Sequence, residues 1–340
     1  MYDMHKELNE FYEDHVRLKD GKKKLREHRD TNITALKDGL KKLKYPFSFE
    51  NKDQGSYAMN TINKHPDKDY DIDEAIIFEK VDLPSKPADA RKRIEEAMIE
   101  GGGDFKTPPE AKTNAVRVSY TEGHHVDLAI YRKYEDFLGN PIVEHAGAEW
   151  TTRDPIDITN WFSSLVQEKS PSKSTGAKVD DGQVRRIVRW LKMFAKSRSS
   201  WDGTMPGGLI ISALVEECYI PNQYRDDSSL YDTMVAIRNR LKTNQQVLNP
   251  VDKTQYLTSR DKDVNRVKKL EENLNFVLEK LDALFDIDCQ RSDALRAWNW
   301  VFKHSYWAQE ADKSSNESGM KKDGPVIVKT MPGPWMKVKK

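Results

Sequence analysis

Three aspartates carry the first chemical signal in this chain. Asp71 and Asp73 stand one residue apart at the head of an apolar run, "DIDEAIIF", and Asp127 lies inside a second, "HHVDLAIY". Side chains two apart on a strand share a face and sit about 6–7 Å apart along it. Carboxylates so placed repel and desolvate one another unless a cation lies between them. Mg²⁺ suits them, because it takes hard oxygen ligands, uses one or two protein carboxylates per ion, and fills its shell with water and phosphate oxygens. Two ions flanking a reacting phosphate want a third carboxylate. Asp127, facing away from its apolar neighbours, is the candidate. Upstream, "QGSYAMNTIN" places Gly55 where backbone can approach an anion closely and Ser56 where a hydroxyl and an amide can meet it. A lone D-x-D pair most often marks a solvated strand end. The ordered combination of Gly-Ser turn, D-x-D strand and later aspartate points to phosphate chemistry.

These residues need elements to hold them. Hydrophobic spacing predicts helix over residues 5–44 in two parts, ending before Pro46, with a short strand over 47–50 leading into the Gly-Ser turn. A strand follows over 71–78, then a helix from Ser85 and Pro87 to the glycines at 101–103. "AVRVSY" and "HHVDLAIY" alternate on either side of Thr121-Glu122-Gly123 and read as a hairpin. In the second of these, Val126, Leu128 and Ile130 face one way and His125, Asp127 and Ala129 the other. Beyond Trp150 strand signals fade, and helices are expected over 158–168, 182–198, 207–219, 227–246 and 259–285. A last apolar helix, capped by Ser292, follows. The expected fold class is α+β: a mixed-sheet lobe over 45–150 carrying the site, a helical lobe over 151–310, N-terminal helices over 1–44 bracing both, and a polar tail over 311–340 with a docking strand at 326–328.

Composition narrows the function classes. Lysine plus arginine number 56 against 55 for aspartate plus glutamate, a formal charge of +1. That balance argues against a partner such as long nucleic acid, which demands a basic surface. No apolar run approaches the roughly 20 residues of a membrane-crossing helix, and the charged N-terminus does not read as a signal peptide. The expected setting is cytoplasmic, without a membrane. Cys218 and Cys289 are far apart and in no metal spacing, as buried reduced thiols would be. His124-His125 beside Asp127 is too weak a pattern for zinc; His125 reads as a neighbour of the carboxylate site or a satisfied, partly buried histidine. Most of the eight tryptophans fall in the helical half and read as core. Tyr57 is the better candidate for stacking on a base.

In "QVRRIVRWLKMFAKSR" an apolar stripe, Val184, Ile187, Val188, Leu191 and Ala195, opposes a basic one, Arg185, Arg189, Lys192 and Lys196. On pattern alone a solvated face and an anion-binding face weigh equally.

The combined pattern resembles the nucleotidyltransferase superfamily with a polymerase-β-like lobe. Within it, the chain is similar to the bacterial cyclic-oligonucleotide synthases, the CD-NTase family, relatives of cyclic GMP-AMP synthase that serve anti-phage signalling. "QGSYAMNTIN" with "YDIDEAIIF" resembles their Gly-Ser and D-x-D signature, and "HHVDLAIY" their third-aspartate strand. "EWTTRDPIDITNWF" resembles the segment between their lobes, and "RRIVRWLKMF" and "LRAWNWVF" helices of their second lobe, so the likeness spans roughly 45–305. It implies two Mg²⁺ ions, with Mn²⁺ able to substitute, on Asp71, Asp73 and Asp127. It implies a nucleotide bound by Gln54, Gly55, Ser56, Tyr57 and Lys192, with Gly55, Ser56 and Lys192 on its triphosphate, ATP and other NTPs as substrates, a cyclic di- or trinucleotide as product, and an activating or modifying protein partner. Where the family has a serine-bearing turn, this chain has Gly207-Gly208; the Gly208 backbone or Ser212 is expected to take its place. The rival readings are the same transfer to an RNA, oligoadenylate or protein acceptor, a non-catalytic nucleotide-binding relative, and a structural docking protein.

Overall fold

The alternation around Asp127 becomes the longest strand of a seven-stranded mixed sheet, in a computed structural model that describes residues 1–18, 21–64, 71–103, 105–121, 123–171 and 182–320. The strands are β1 (Glu50–Gln54), β2 (Asp71–Glu79), β3 (Glu110–Ala111), β4 (Val116–Ser119), β5 (His125–Glu135), β6 (Pro141–Ala146) and β7 (Trp150–Thr152). Their order runs β1-β2-β5-β4-β3, with β6 beside the outer half of β5 and β7 beside β6. Among the described residues only β2 and β5 pair in parallel, and their register sets Asp73 opposite Asp127.

Period-two patterning explains the two faces. Ile72, Ile76 and Phe78 of β2 and Val126, Leu128 and Ile130 of β5 are buried together against α2 (Gly21–Lys42) and α4 (Pro87–Gly101). The opposite face carries a small patch, Ala75, Ile77, Ala129 and Tyr131, and beyond it the polar cleft. α2 and α4 pack very closely where a Cβ on Gly39 would stand 1.8 Å from the Ala97 carbonyl oxygen and one on Gly101 1.9 Å from that of Ala35.

A second core belongs to the helices α5 (Asp157–Lys169), α6 (Gln183–Ala195), α7 (Gly208–Cys218), α8 (Asp226–Thr243), α9 (Asp261–Leu281) and α10 (Arg291–Phe302). Trp190, Trp298 and Trp307 are fully buried there. α1 (His5–Phe11) and the π-helical turn Tyr12–Val16 join this second core through Leu8, Phe11, Tyr12 and Val16. The first 44 residues are thus divided, α1 going to the helical lobe and α2 to the sheet.

Several expected boundaries move. The strand before the Gly-Ser turn occupies 50–54 rather than 47–50. Gln290, in a capping box with Asp293, caps α10 in place of Ser292. α11 (Ser305–Met320) runs across residue 311, where the tail was expected to start. Residues 321–340, with the docking strand expected at 326–328, lie outside the described residues. Cys218 is buried, Cys289 only half-buried, and both are free thiols. No helix among the described residues is long and apolar enough to cross a membrane.

Candidate functional site

A single row of side chains crosses the sheet at the cleft. Gln54 on β1 pairs with Asp73 on β2, Asp73 with Asp127 on β5, and Asp127 with Arg117 on β4. Neighbouring strands lie about 4.8 Å apart, so the two carboxylates are side by side. Asp71 opens β2 two residues earlier, opposite His125; its side chain lies outside the described residues.

β1 runs straight into α3 (Gly55–Ala58), a single turn too short to carry a macrodipole. What that turn offers an anion is individual N–H groups and the Ser56 hydroxyl. Gly55 has φ +63°, and a Cβ on it would stand 1.9 Å from Asp73 Oδ2. The glycine is therefore what lets the aspartate and the turn share one space.

The cleft, of about 560 Å³, is walled on the sheet side by Gln54, Gly55, Ser56, Asp73 and Asp127. On the helical side it is walled by Lys192, Lys196, Gly207 and Gly208. Lys192 reaches back to the sheet lobe, its Nζ donating to the Thr61 carbonyl at 2.7 Å and the Thr61 hydroxyl at 3.3 Å. Its stem lies against Gly208, where an added Cβ would be 3.2 Å from Lys192 Cε. Gly207 and Gly208 leave that corner open.

Two expected ligands fall elsewhere. Ser212 is buried, and its hydroxyl donates to the Gly208 carbonyl one turn back at 2.9 Å, so it does not reach the cleft. Tyr57 does not line the cleft either: it packs against the sheet core and accepts a hydrogen bond from Arg26 on α2 at 3.3 Å. The basic stripe of α6 is only partly solvated: Arg189 is fully buried, Arg185 and Lys192 are half-buried, and Lys196 is exposed. His124 is buried and stacked with His28 and Tyr120 rather than near the carboxylates.

The structure adds residues that sequence reasoning overlooked. Arg117 grips Asp127 with both arms, Nε to Oδ1 at 2.8 Å and Nη2 to Oδ2 at 2.6 Å. Hairpin symmetry could have found it, since residues 117 and 127 each lie five positions from residue 122. Tyr131 donates to Gln54 Oε1 at 3.1 Å, fixing the amide that opens the Gly-Ser turn. Behind it, burial pushes His145 down to about 4, so its ring is neutral at pH 7, and its Nε2 lies 2.9 Å from the Asn114 carbonyl.

Hard-oxygen chemistry fits this donor set: two adjacent carboxylates open to a cleft, a third two residues before the first, and a glycine clearing the space at Asp73. Among the described residues no group of three potential ligands forms, the Asp71 side chain being outside them.

Residues 50–131 match the family model described as cyclic GMP-AMP synthase DncV-like, nucleotidyltransferase domain. Vibrio cholerae DncV cyclic AMP-GMP synthase, solved with the linear intermediate 5′ pppA(3′,5′)pG, is 16% identical. It aligns over 92% of this chain and 99% of its own with a TM-score of 0.67. E. coli MS115-1 CdnC with ATP is 15% identical over 89% and 98%, with a TM-score of 0.65. The same CdnC in complex with HORMA-deltaN is 15% identical over 88% and 96%, also at 0.65. These likenesses establish a shared fold across both lobes. Residues 50–131 thus match a DncV-like nucleotidyltransferase domain, and the Gly-Ser turn, Asp73 and Asp127 of that stretch are gathered at one cleft.

Proposed function

We propose that this protein is a template-independent nucleotidyltransferase that joins nucleoside triphosphates into a cyclic di- or trinucleotide. The observation that carries the reading is the meeting in one cleft of Gly55-Ser56, Asp73, Asp127 and Lys192. Gln54, Gly55 and Ser56 orient the donor triphosphate, and Lys192 neutralises the departing pyrophosphate beside the open Gly208 backbone. Asp71, Asp73 and Asp127 would hold divalent metal, Mg²⁺ or Mn²⁺, which when bound supplies charge neutralisation to the phosphates. The acceptor ribose hydroxyl, lying by Asp127, forms the new O–P bond as the bond to pyrophosphate breaks, and its proton leaves toward that carboxylate. A last transfer within the linear product, the second for a dinucleotide and the third for a trinucleotide, releases a further pyrophosphate and closes the ring. The DncV relative solved with a linear intermediate supports this order of events.

A signalling role in anti-phage defence, a cytoplasmic setting and an activating protein partner belong to the same reading. CdnC solved with a HORMA chain supports the last of these.

Purified protein incubated with Mg²⁺ and all four NTPs, then treated with phosphatase, should yield a resistant cyclic species by mass spectrometry. Asp73→Asn and Asp127→Asn should abolish it. Transfer only to added RNA or protein would replace the cyclic product by another acceptor. No pyrophosphate release and no nucleotide binding by the folded protein would sink the reading.

A further inference from the structure

Immediately after α3 the backbone turns through Asn60, held at φ +57°. The three carbonyls at this turn belong to consecutive residues, and three cations from one face of α6 take them. Arg185 Nε donates to Met59 O at 3.2 Å, Arg189 to Asn60 O through Nε at 3.0 Å and Nη2 at 2.6 Å, and Lys192 to Thr61 O at 2.7 Å. The helix rises about 10 Å over those seven residues, whereas two steps of chain span at most about 7 Å. Long side chains therefore have to converge, which they do.

The arrangement is fastened at both ends. Asn63 Nδ2 donates back to the Arg189 carbonyl at 2.7 Å, and Lys22 donates to the Asn60 side chain. Arg189 Nη1 donates to the Tyr12 hydroxyl at 3.1 Å, drawing in the N-terminal segment. Arg189 is fully buried and has no ion-pair partner among the described residues. A buried guanidinium without a carboxylate is costly and survives only when its donors are used. Here they are used on the strand-to-helix turn that begins with Gly55 and Ser56.

We propose that Arg189, with Arg185 beside it, is a positioning residue of the nucleotide site. The α6 stripe clamps the carbonyl end of α3 and thereby sets where Gly55 and Ser56 meet a triphosphate relative to Lys192. The inference rests on the nucleotidyltransferase reading and deepens it. A lysine cannot reproduce the fork on Asn60 O and the reach to Tyr12 together.

The test compares wild type, Arg189→Met, Arg189→Lys and Arg185→Met by steady-state pyrophosphate release with MgATP and by amide hydrogen exchange. Loss of one charge-assisted hydrogen-bond set predicts a KM for MgATP raised about tenfold in Arg189→Met and about threefold in Arg185→Met, with kcat nearly unchanged. Arg189→Lys should fall between wild type and Arg189→Met. Exchange should quicken at residues 55–62 while α8 and α9 keep their protection. Unchanged KM and exchange in a folded Arg189→Met would overturn the proposal. So would a loosening spread evenly through α8 and α9. If Arg189→Met does not fold, Arg185→Met decides by the same two readouts. Should wild type release no pyrophosphate and bind no nucleotide, the enzymatic reading falls, and exchange at 55–62 alone decides whether the stripe clamps the turn.

Discussion

Gly55 and Asp73 occupy space that only one of them can fill with side chain. At φ +63° and 1.9 Å from Asp73 Oδ2, a methyl group on residue 55 must displace the carboxylate or the turn. Gly55→Ala is expected to cost about 1–3 kcal/mol of stability, and to reduce NTP turnover by orders of magnitude; thermal melts and pyrophosphate release measure the two effects. Next to Asp73, on the opposite face of β2, Glu74 is fully buried and accepts from Asn51 Nδ2 at 2.6 Å. Burial, reinforced by the neighbouring Asp53 carboxylate, raises Glu74 to about 8. Its folded value lies above its unfolded one, so the folded state keeps a proton that the unfolded chain has lost. The stability this group contributes is complete below about 4.5 and disappears as pH rises through about 8. Glu74→Gln should therefore flatten the fall in melting temperature over that window, and an equally steep fall in the variant would refute the assignment. The carboxylates and the Gly-Ser turn were legible in sequence because their chemistry is local. Arg117 was not, because its meaning comes from a partner across the hairpin.

Helices and strands were mostly legible too, since periodicity of 2 or 3.6 is a property of consecutive residues. β4, β5 and α4 to α10 lie close to where spacing places them. What spacing cannot say is which element an apolar or basic stripe meets. The stripe of Arg185, Arg189 and Lys192 reads equally as a solvated face, yet it lies on the carbonyls of residues 59–61. Ser212 suits a phosphate contact by type, yet within α7 its hydroxyl turns back on Gly208. The α2–α4 contact is similarly invisible in sequence. Gly101→Ala would push a methyl group to 1.9 Å from the Ala35 carbonyl oxygen, and overpacking of this kind costs about 1–3 kcal/mol. A melting temperature lowered by several degrees, with the nucleotide KM unchanged, is the expected result. An unaltered melt would mean that the helices separate without loss.

At the scale of the whole molecule, the N-terminal segment packs into the helical core. Phe11 packs on Phe302 and Trp307 at ring separations of 4.9 and 5.1 Å, and Tyr12 on Trp190 at 5.3 Å. Tyr12 also receives Arg189, the residue that holds the turn at Asn60. Removal of residues 1–16 should uncover this aromatic cluster and leave the helical lobe open to protease, while the strands around Asp73 stay protected longer. Limited proteolysis with mass spectrometry distinguishes the two lobes, and an intact helical lobe in the truncated protein would contradict the arrangement. Near-neutral charge, a triad of aspartates in strand context and a Gly-Ser turn were determined by the sequence alone, because residue type and spacing carry them. Only the tertiary structure decided that Arg117 grips Asp127, that Tyr57 and Ser212 stay outside the cleft, and that a buried arginine holds the turn at Asn60. Tyr57 on Arg26 and Arg189 on Asn60 are contacts between residues far apart in the chain, and even the nearer ones, Arg117 on Asp127 and Ser212 on Gly208, take their orientation from elements that only the packing of the two cores positions.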